Sequence, residues 1–126
     1  MMRRSALVLT LAGAGALGLL QSDAEAAVAY PTRLQVTSRE FGLVVSRLRL
    51  PAGPSIVQFV NRGEDDHDLK FRRIGGTHTW RITITRPGEY TNLRVRFYRG
   101  TYRFWCSLRG HRDAGMTATF TVYRPA

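Results

Sequence analysis

Residues 100–122 read GTYRFWCSLRGHRDAGMTATFTV. Before the cysteine the run alternates: Tyr102, Phe104 and Cys106 share one side, and Thr101, Arg103 and Trp105 share the other. After the loop, Ala118, Phe120 and Val122 alternate with Thr117, Thr119 and Thr121. Successive side chains on a strand point to opposite faces, so both runs read as strands with one buried side. Between them lies a polar, glycine-punctuated loop in which Cys106, His111 and Met116 are spaced C-x4-H-x4-M. The stretch therefore specifies two β-strands joined by a loop that carries a thiol, an imidazole and a thioether.

The same period of two extends outward. Leu93, Val95 and Phe97 alternate with Arg94 and Arg96, and Leu48 and Leu50 alternate with Arg47 and Arg49. His67, Leu69 and Phe71 fall on one side of their run, which places the histidine where the apolar side begins. Turn residues punctuate these runs at Pro51-Ala52-Gly53-Pro54, Asn61-Arg62-Gly63, Gly75-Gly76, Arg86-Pro87-Gly88 and Arg99-Gly100. No segment sustains helical periodicity, no repeat is present, and no linker separates two domains. This pattern predicts one all-β domain, a sandwich of seven or eight strands.

The N-terminus reads as an export signal. Met1-Met2-Arg3-Arg4 supplies a positive start, and Ser5 to Leu20 is an apolar run. Ala24-Glu25-Ala26 then offers a small-residue cleavage pattern, and Ala27-Val28-Ala29 a second one. The apolar run has 16 residues including three glycines, fewer than the roughly 20 that a membrane-spanning helix needs. A cleaved signal over residues 1–26 is therefore expected rather than an anchor. The Arg3-Arg4 pair raises twin-arginine export, but its flanks match that pattern poorly and the general secretory route is favoured. Residues 27–126 remain as the domain, about 100 residues, enough for a single core.

The charge is strongly positive, +10, and eighteen of the nineteen basic residues are arginine. The predicted signal holds two arginines and two acids, so its removal leaves that balance unchanged. Such a domain is drawn to acidic proteins or anionic membrane surfaces. Export disfavours nucleic acid as a partner. Alternation puts many of the arginines on outer sheet faces, so much of the charge reads as solvated surface.

Cys106 is the only cysteine, so no internal disulfide can form. An unpaired thiol in an exported protein needs another role, and a metal bond supplies one. Taken singly, a buried cysteine, a methionine beside a strand and a histidine in a turn have blander readings as packing and loop residues. Their order, the intervening glycines and the flanking strands agree only on a shared site. One thiolate, two imidazoles and a weak thioether are the donors of a mononuclear copper electron-transfer centre. Gly110 and Gly115 precede His111 and Met116, where a permissive backbone lets each side chain turn inward. The remaining imidazole must come from a distant loop, and His67 is suitably placed. Asp68 and Ser107, each next to a donor, are candidates for hydrogen bonds that hold the loops. His78 lacks this context and reads as a surface residue; Trp105 reads as packing outside its strand.

Phe59-Val60-Asn61 through His67-Asp68-Leu69-Lys70-Phe71 resembles the loop bearing the first histidine of plastocyanin-like cupredoxins. Gly100 through Ser107, with Gly110-His111 and Ala114-Gly115-Met116, resembles their C-terminal copper loop. Glu40-Phe41 with Pro51-Ala52-Gly53-Pro54 is similar to the opening hairpin of small bacterial cupredoxins. The resemblance covers nearly all of residues 27–126. It implies a Greek-key sandwich and a type 1 (blue) copper ion held by His67, Cys106, His111 and Met116. The interval from cysteine to second histidine is longer than in plastocyanins and more similar to that of rusticyanin and auracyanin. Asp68 stands where the family often has asparagine, and Thr117-Ala118 replaces a segment that frequently contains glycine.

The resulting expectation is an exported one-electron carrier, located in a periplasm or another extracytoplasmic space, and not an enzyme. No H-x-H pair or second histidine set is present for a catalytic copper cluster. Electrons are expected to pass through the edge of His111, with Leu108, Gly110, Ala114 and Gly115 around it and Arg109 and Arg112 at the rim. The expected partners are redox proteins with an acidic docking surface, with peripheral contact to anionic membrane as a further option. A monomer is the default for a small shuttle. The competing expectation is a copper-delivery protein that uses the same donors without redox turnover.

Overall fold

Strands form where alternation lets one face be buried, and they assemble into two sheets. The computed structural model describes residues 30–126, so the signal predicted over residues 1–26 lies outside the described residues. The elements are β1 (Thr32–Arg39), β2 (Gly42–Val45), β3 (Arg49–Pro51), β4 (Gly53–Asn61), β5 (His67–Arg73), β6 (Thr79–Thr85), β7 (Tyr90–Phe97), β8 (Gly100–Trp105) and β9 (Thr117–Tyr123). One sheet has the order β2-β1-β4-β7, and the other β3-β9-β8-β5-β6. No helix among the described residues is long and apolar enough to cross a membrane.

The count is nine strands, not seven or eight, because the chain changes sheets after the β1–β2 hairpin and forms a separate short strand. β2 pairs with β1, whereas β3 pairs parallel with β9 in the opposite sheet. Residues 46–48 make the crossing. Leu48 therefore does not share the inward face of Leu50: it is 74% exposed while Leu50 is fully buried. Its backbone carbonyl accepts the Thr121 N–H at 2.9 Å, which fixes the bend and leaves the side chain outside.

Elsewhere the predicted faces hold. Tyr102, Phe104 and Cys106 are buried, as are Val95, Phe97, Phe120 and Val122. The core is an aromatic stack between the sheets. Phe104 lies 4.9 Å from Phe71 and 5.1 Å from Phe120, and Phe97 lies 4.9 Å from Tyr102 and 5.1 Å from Phe120. Each such pair contributes about 0.5–1.5 kcal/mol beyond simple burial. The Tyr102 hydroxyl donates to the Tyr98 carbonyl at 3.0 Å and so satisfies its polar end at the β7–β8 turn.

This topology sets the site. β1 runs parallel to β4, with Ser38 opposite Asn61, so the β1–β2 turn and the β4–β5 loop share one pole. β8 runs antiparallel to β5, with Trp105 opposite Lys70, which brings the β8–β9 loop to the same pole. Three segments far apart in sequence thus meet above the aromatic core.

Candidate metal centre

His67 opens β5 and is fully buried. The β5–β6 register shifts between His67 and Leu69, the kind of bulge that redirects side chains beside a site. Cys106 follows the last residue of β8 and is also fully buried. The chain then turns back on itself: the His111 N–H donates to the Leu108 carbonyl at 3.0 Å, and Ala114 N–H to Gly110 at 3.0 Å. Gly110 and Gly115 have φ of 79° and 122°, a region that favours glycine. His111 emerges half-buried from this turn.

Three donor atoms converge. His67 Nδ1 lies 3.2 Å from His111 Nδ1, and Cys106 Sγ lies 3.9 Å and 3.6 Å from those two nitrogens. A point in their plane is about 2.1 Å from all three, close to metal–imidazole bonds of about 2.0–2.1 Å and metal–thiolate bonds of about 2.3 Å. The triangle is therefore sized for one small ion. Burial pushes the Cys106 thiol pKa up, as expected when a thiolate lacks a nearby counter-charge.

Met116 is fully buried at the end of the loop. Its N–H donates to the His111 carbonyl at 3.1 Å and its carbonyl accepts the Cys106 N–H at 3.2 Å. The backbone of the C-x4-H-x4-M segment is thus closed on itself. His78 is exposed, with its ring 4.4 Å from Trp80. It sits in the β5–β6 connection at the opposite pole.

Asp68 and Ser107 join the two loops as the sequence indicates. The Ser107 N–H donates to Asp68 Oδ1 at 2.6 Å, and its hydroxyl donates to Oδ2. Trp105 is half-buried on the outer face of β8, and the Arg112 guanidinium lies 5.1 Å above its ring. Arg112 therefore leans along the β5–β8 outer face, toward the cleft that it lines with Arg72, Arg73 and Arg103.

Two contributions were not legible as site features. Glu40, in the β1–β2 turn, accepts the Nε2–H of His67 at 2.9 Å. Its carboxylate also accepts the N–H groups of Asp65 and Glu64, which hold its pKa down to about 2. Phe41 places its ring 5.1 Å from that of His111, edge to face, and remains 45% exposed. Its carbonyl also lies where a Cβ on Gly115 would come within 2.9 Å, so this loop glycine is needed for close approach as well as for its φ. In the sequence Glu40 reads only as part of the opening hairpin, and nothing local points from it to His67.

No protein-family model matches the chain, and no curated protein matches it in sequence. The fold is that of cupredoxins. Reduced auracyanin from Roseiflexus castenholzii superposes with a TM-score of 0.60 at 18% identity, over 75% of this chain and 99% of its own. Auracyanin A, a blue copper protein from Chloroflexus aurantiacus, gives 0.60 at 13% identity, over 75% and 100%. Rusticyanin from Thiobacillus ferrooxidans gives 0.56 at 17% identity, over 75% and 79%.

Proposed function

We propose that this chain is an exported type 1 copper protein that carries one electron at a time, with His67, Cys106, His111 and Met116 as the ligands. The observation that carries this reading is the triangle of two Nδ1 atoms and one Sγ, closed by backbone hydrogen bonds and built mostly from fully buried groups. Its support is the donor chemistry: two imidazoles and a thiolate in one plane suit copper in both oxidation states. Bound copper would supply the one-electron couple. The chain's part is to hold the donors still, so that little rearranges when the charge changes.

Burial also limits what else the site can do. His67, Cys106 and Met116 are sealed from solvent, and only His111 reaches outward. Burial of three of the four proposed donors restricts access for a substrate, which favours a carrier over an enzyme. Electrons enter and leave through the His111 edge, which Phe41, Leu108, Gly110, Ala114 and Gly115 surround. Arg109 stands at this rim, and the chain's excess of arginine favours a partner with an acidic docking surface. Residues 27–126 form the mature domain, outside the cytoplasm.

The carrier reading is tested by voltammetry on copper-loaded protein in the presence of a Cu(I) chelator. Reversible one-electron cycling with the metal retained supports it. Rapid surrender of Cu(I) to the chelator would instead assign the same donors to copper delivery.

A further inference from the structure

Glu40 leaves the β1–β2 turn and reaches across to the β4–β5 loop. Its Oε1 accepts the Asp65 N–H at 2.7 Å and the Glu64 N–H at 3.0 Å, while Oε2 accepts the Glu64 N–H at 3.0 Å. The same Oε1 takes the His67 Nε2–H at 2.9 Å. Among the described residues no arginine or lysine lies within salt-bridge distance of this carboxylate, although the chain is crowded with arginine.

The loop is shaped to receive it. A Cβ on Gly63 would collide with both Glu40 carboxylate oxygens, so only glycine admits the carboxylate there. Fully buried Asn61 braces the loop: its Oδ1 accepts the Gly63 N–H at 2.9 Å, and its Nδ2 donates to the carbonyls of Asp65 and Thr85, each at 2.8 Å. Asn61 and Gly63 therefore present the Glu64 and Asp65 amides to an acid 24 and 25 positions earlier in the chain.

A neutral imidazole donates from one nitrogen and binds metal through the other. A carboxylate on the donating nitrogen fixes the tautomer and raises the basicity of the ligating one. We infer that Glu40 is a positioning residue for the metal site: it locks His67 as the Nε2–H tautomer with Nδ1 aimed at Cys106 and His111, and its charge favours the oxidised ion. This inference rests on the copper reading for its second half only. The tautomer lock is a property of the chain itself.

The test uses Glu40→Gln, Glu40→Ala and Gly63→Ala. In metal-free protein, nitrogen-15 NMR of the imidazoles should show His67 as a single Nε2–H tautomer, and a mixture in Glu40→Ala. In copper-loaded protein, Glu40→Gln should lose about 10–100-fold in Cu(II) affinity. Cu(I) affinity should fall less. A change of about tenfold in the ratio of the two affinities raises the potential by about 59 mV. Gly63→Ala keeps the charge but displaces the carboxylate, and should move the potential the same way. An unchanged tautomer in Glu40→Ala overturns the positioning role, and an unchanged affinity ratio in Glu40→Gln overturns the charge role. If the parent protein takes up no copper, the copper reading fails, while the NMR result still decides the tautomer lock.

Discussion

Asp68 and Ser107 tie the loop that bears His67 to the loop that bears Cys106, through an N–H donated to Oδ1 at 2.6 Å and a hydroxyl donated to Oδ2. Each residue directly follows a proposed ligand, so this bond sets the spacing between the two donor loops. Hydrogen bonds to a charged group contribute about 1.5–3 kcal/mol each. Asp68→Ala should destabilise the metal-free fold by about 2 kcal/mol and speed copper loss. Urea unfolding and a chelator time course read the two effects. Asp68→Asn should recover part of both, because an amide oxygen can still accept the Ser107 N–H.

Met116 is fully buried at the end of the β8–β9 loop. Met116→Leu conserves volume, and such swaps usually cost less than about 1.5 kcal/mol. The variant should fold and retain copper. Its reduction potential should rise, because the weak axial donor is gone. A potential that does not move would remove Met116 from the ligand set.

Metal removal should leave the sandwich standing. The aromatic core from Phe71 through Phe104 to Phe120 is built from side chains outside the proposed ligand set. The metal-free protein should keep its β-type circular dichroism and melt at a lower temperature. Ligand at about 1,000 times its dissociation constant adds about 4.1 kcal/mol of stability. Loss of the β signal on metal removal would mean that the ion, and not the core, holds the sheets together.

Arg109 lies exposed on the β8–β9 loop near half-buried His111. Rim charges act mainly on encounter rate and on salt dependence. Arg109→Glu should slow electron transfer to an acidic redox protein, weaken its dependence on ionic strength, and leave the visible spectrum alone. Stopped-flow rates across a salt series measure this. A rate insensitive to salt in the parent protein would refute the acidic-partner proposal without touching the metal site.

Much of this architecture was legible because burial has a period of two along a strand. Tyr102, Phe104 and Cys106 could be assigned to the core from local order alone, and Asp68 and Ser107 each to a hydrogen-bonding role, but that they bond to each other is a non-local fact. Leu48 misled for a local reason: the chain changes sheets at residues 46–48, and alternation does not carry through a bend. Glu40 was hidden for a non-local one. Its bond to His67 depends on β1 lying parallel to β4, a pairing that no short-range pattern encodes. Asn61 and Gly63 read as turn residues; Asn61 closes β4 and Gly63 lies in the turn after it, and that turn receives a side chain from the β1–β2 turn. Phe41 reads in the sequence only as part of a hairpin, and its packing on His111 depends on the same pole of the sandwich closing.

The central claim is that His67, Cys106 and His111 hold one copper ion between them. Reconstitution of residues 27–126 with Cu(II), followed by metal analysis and visible absorption, tests it directly, with Cys106→Ser in parallel. The account predicts one copper per chain and an intense thiolate-to-copper band that vanishes in the serine variant. A colourless parent protein without stoichiometric metal, or a band that survives in Cys106→Ser, would contradict it.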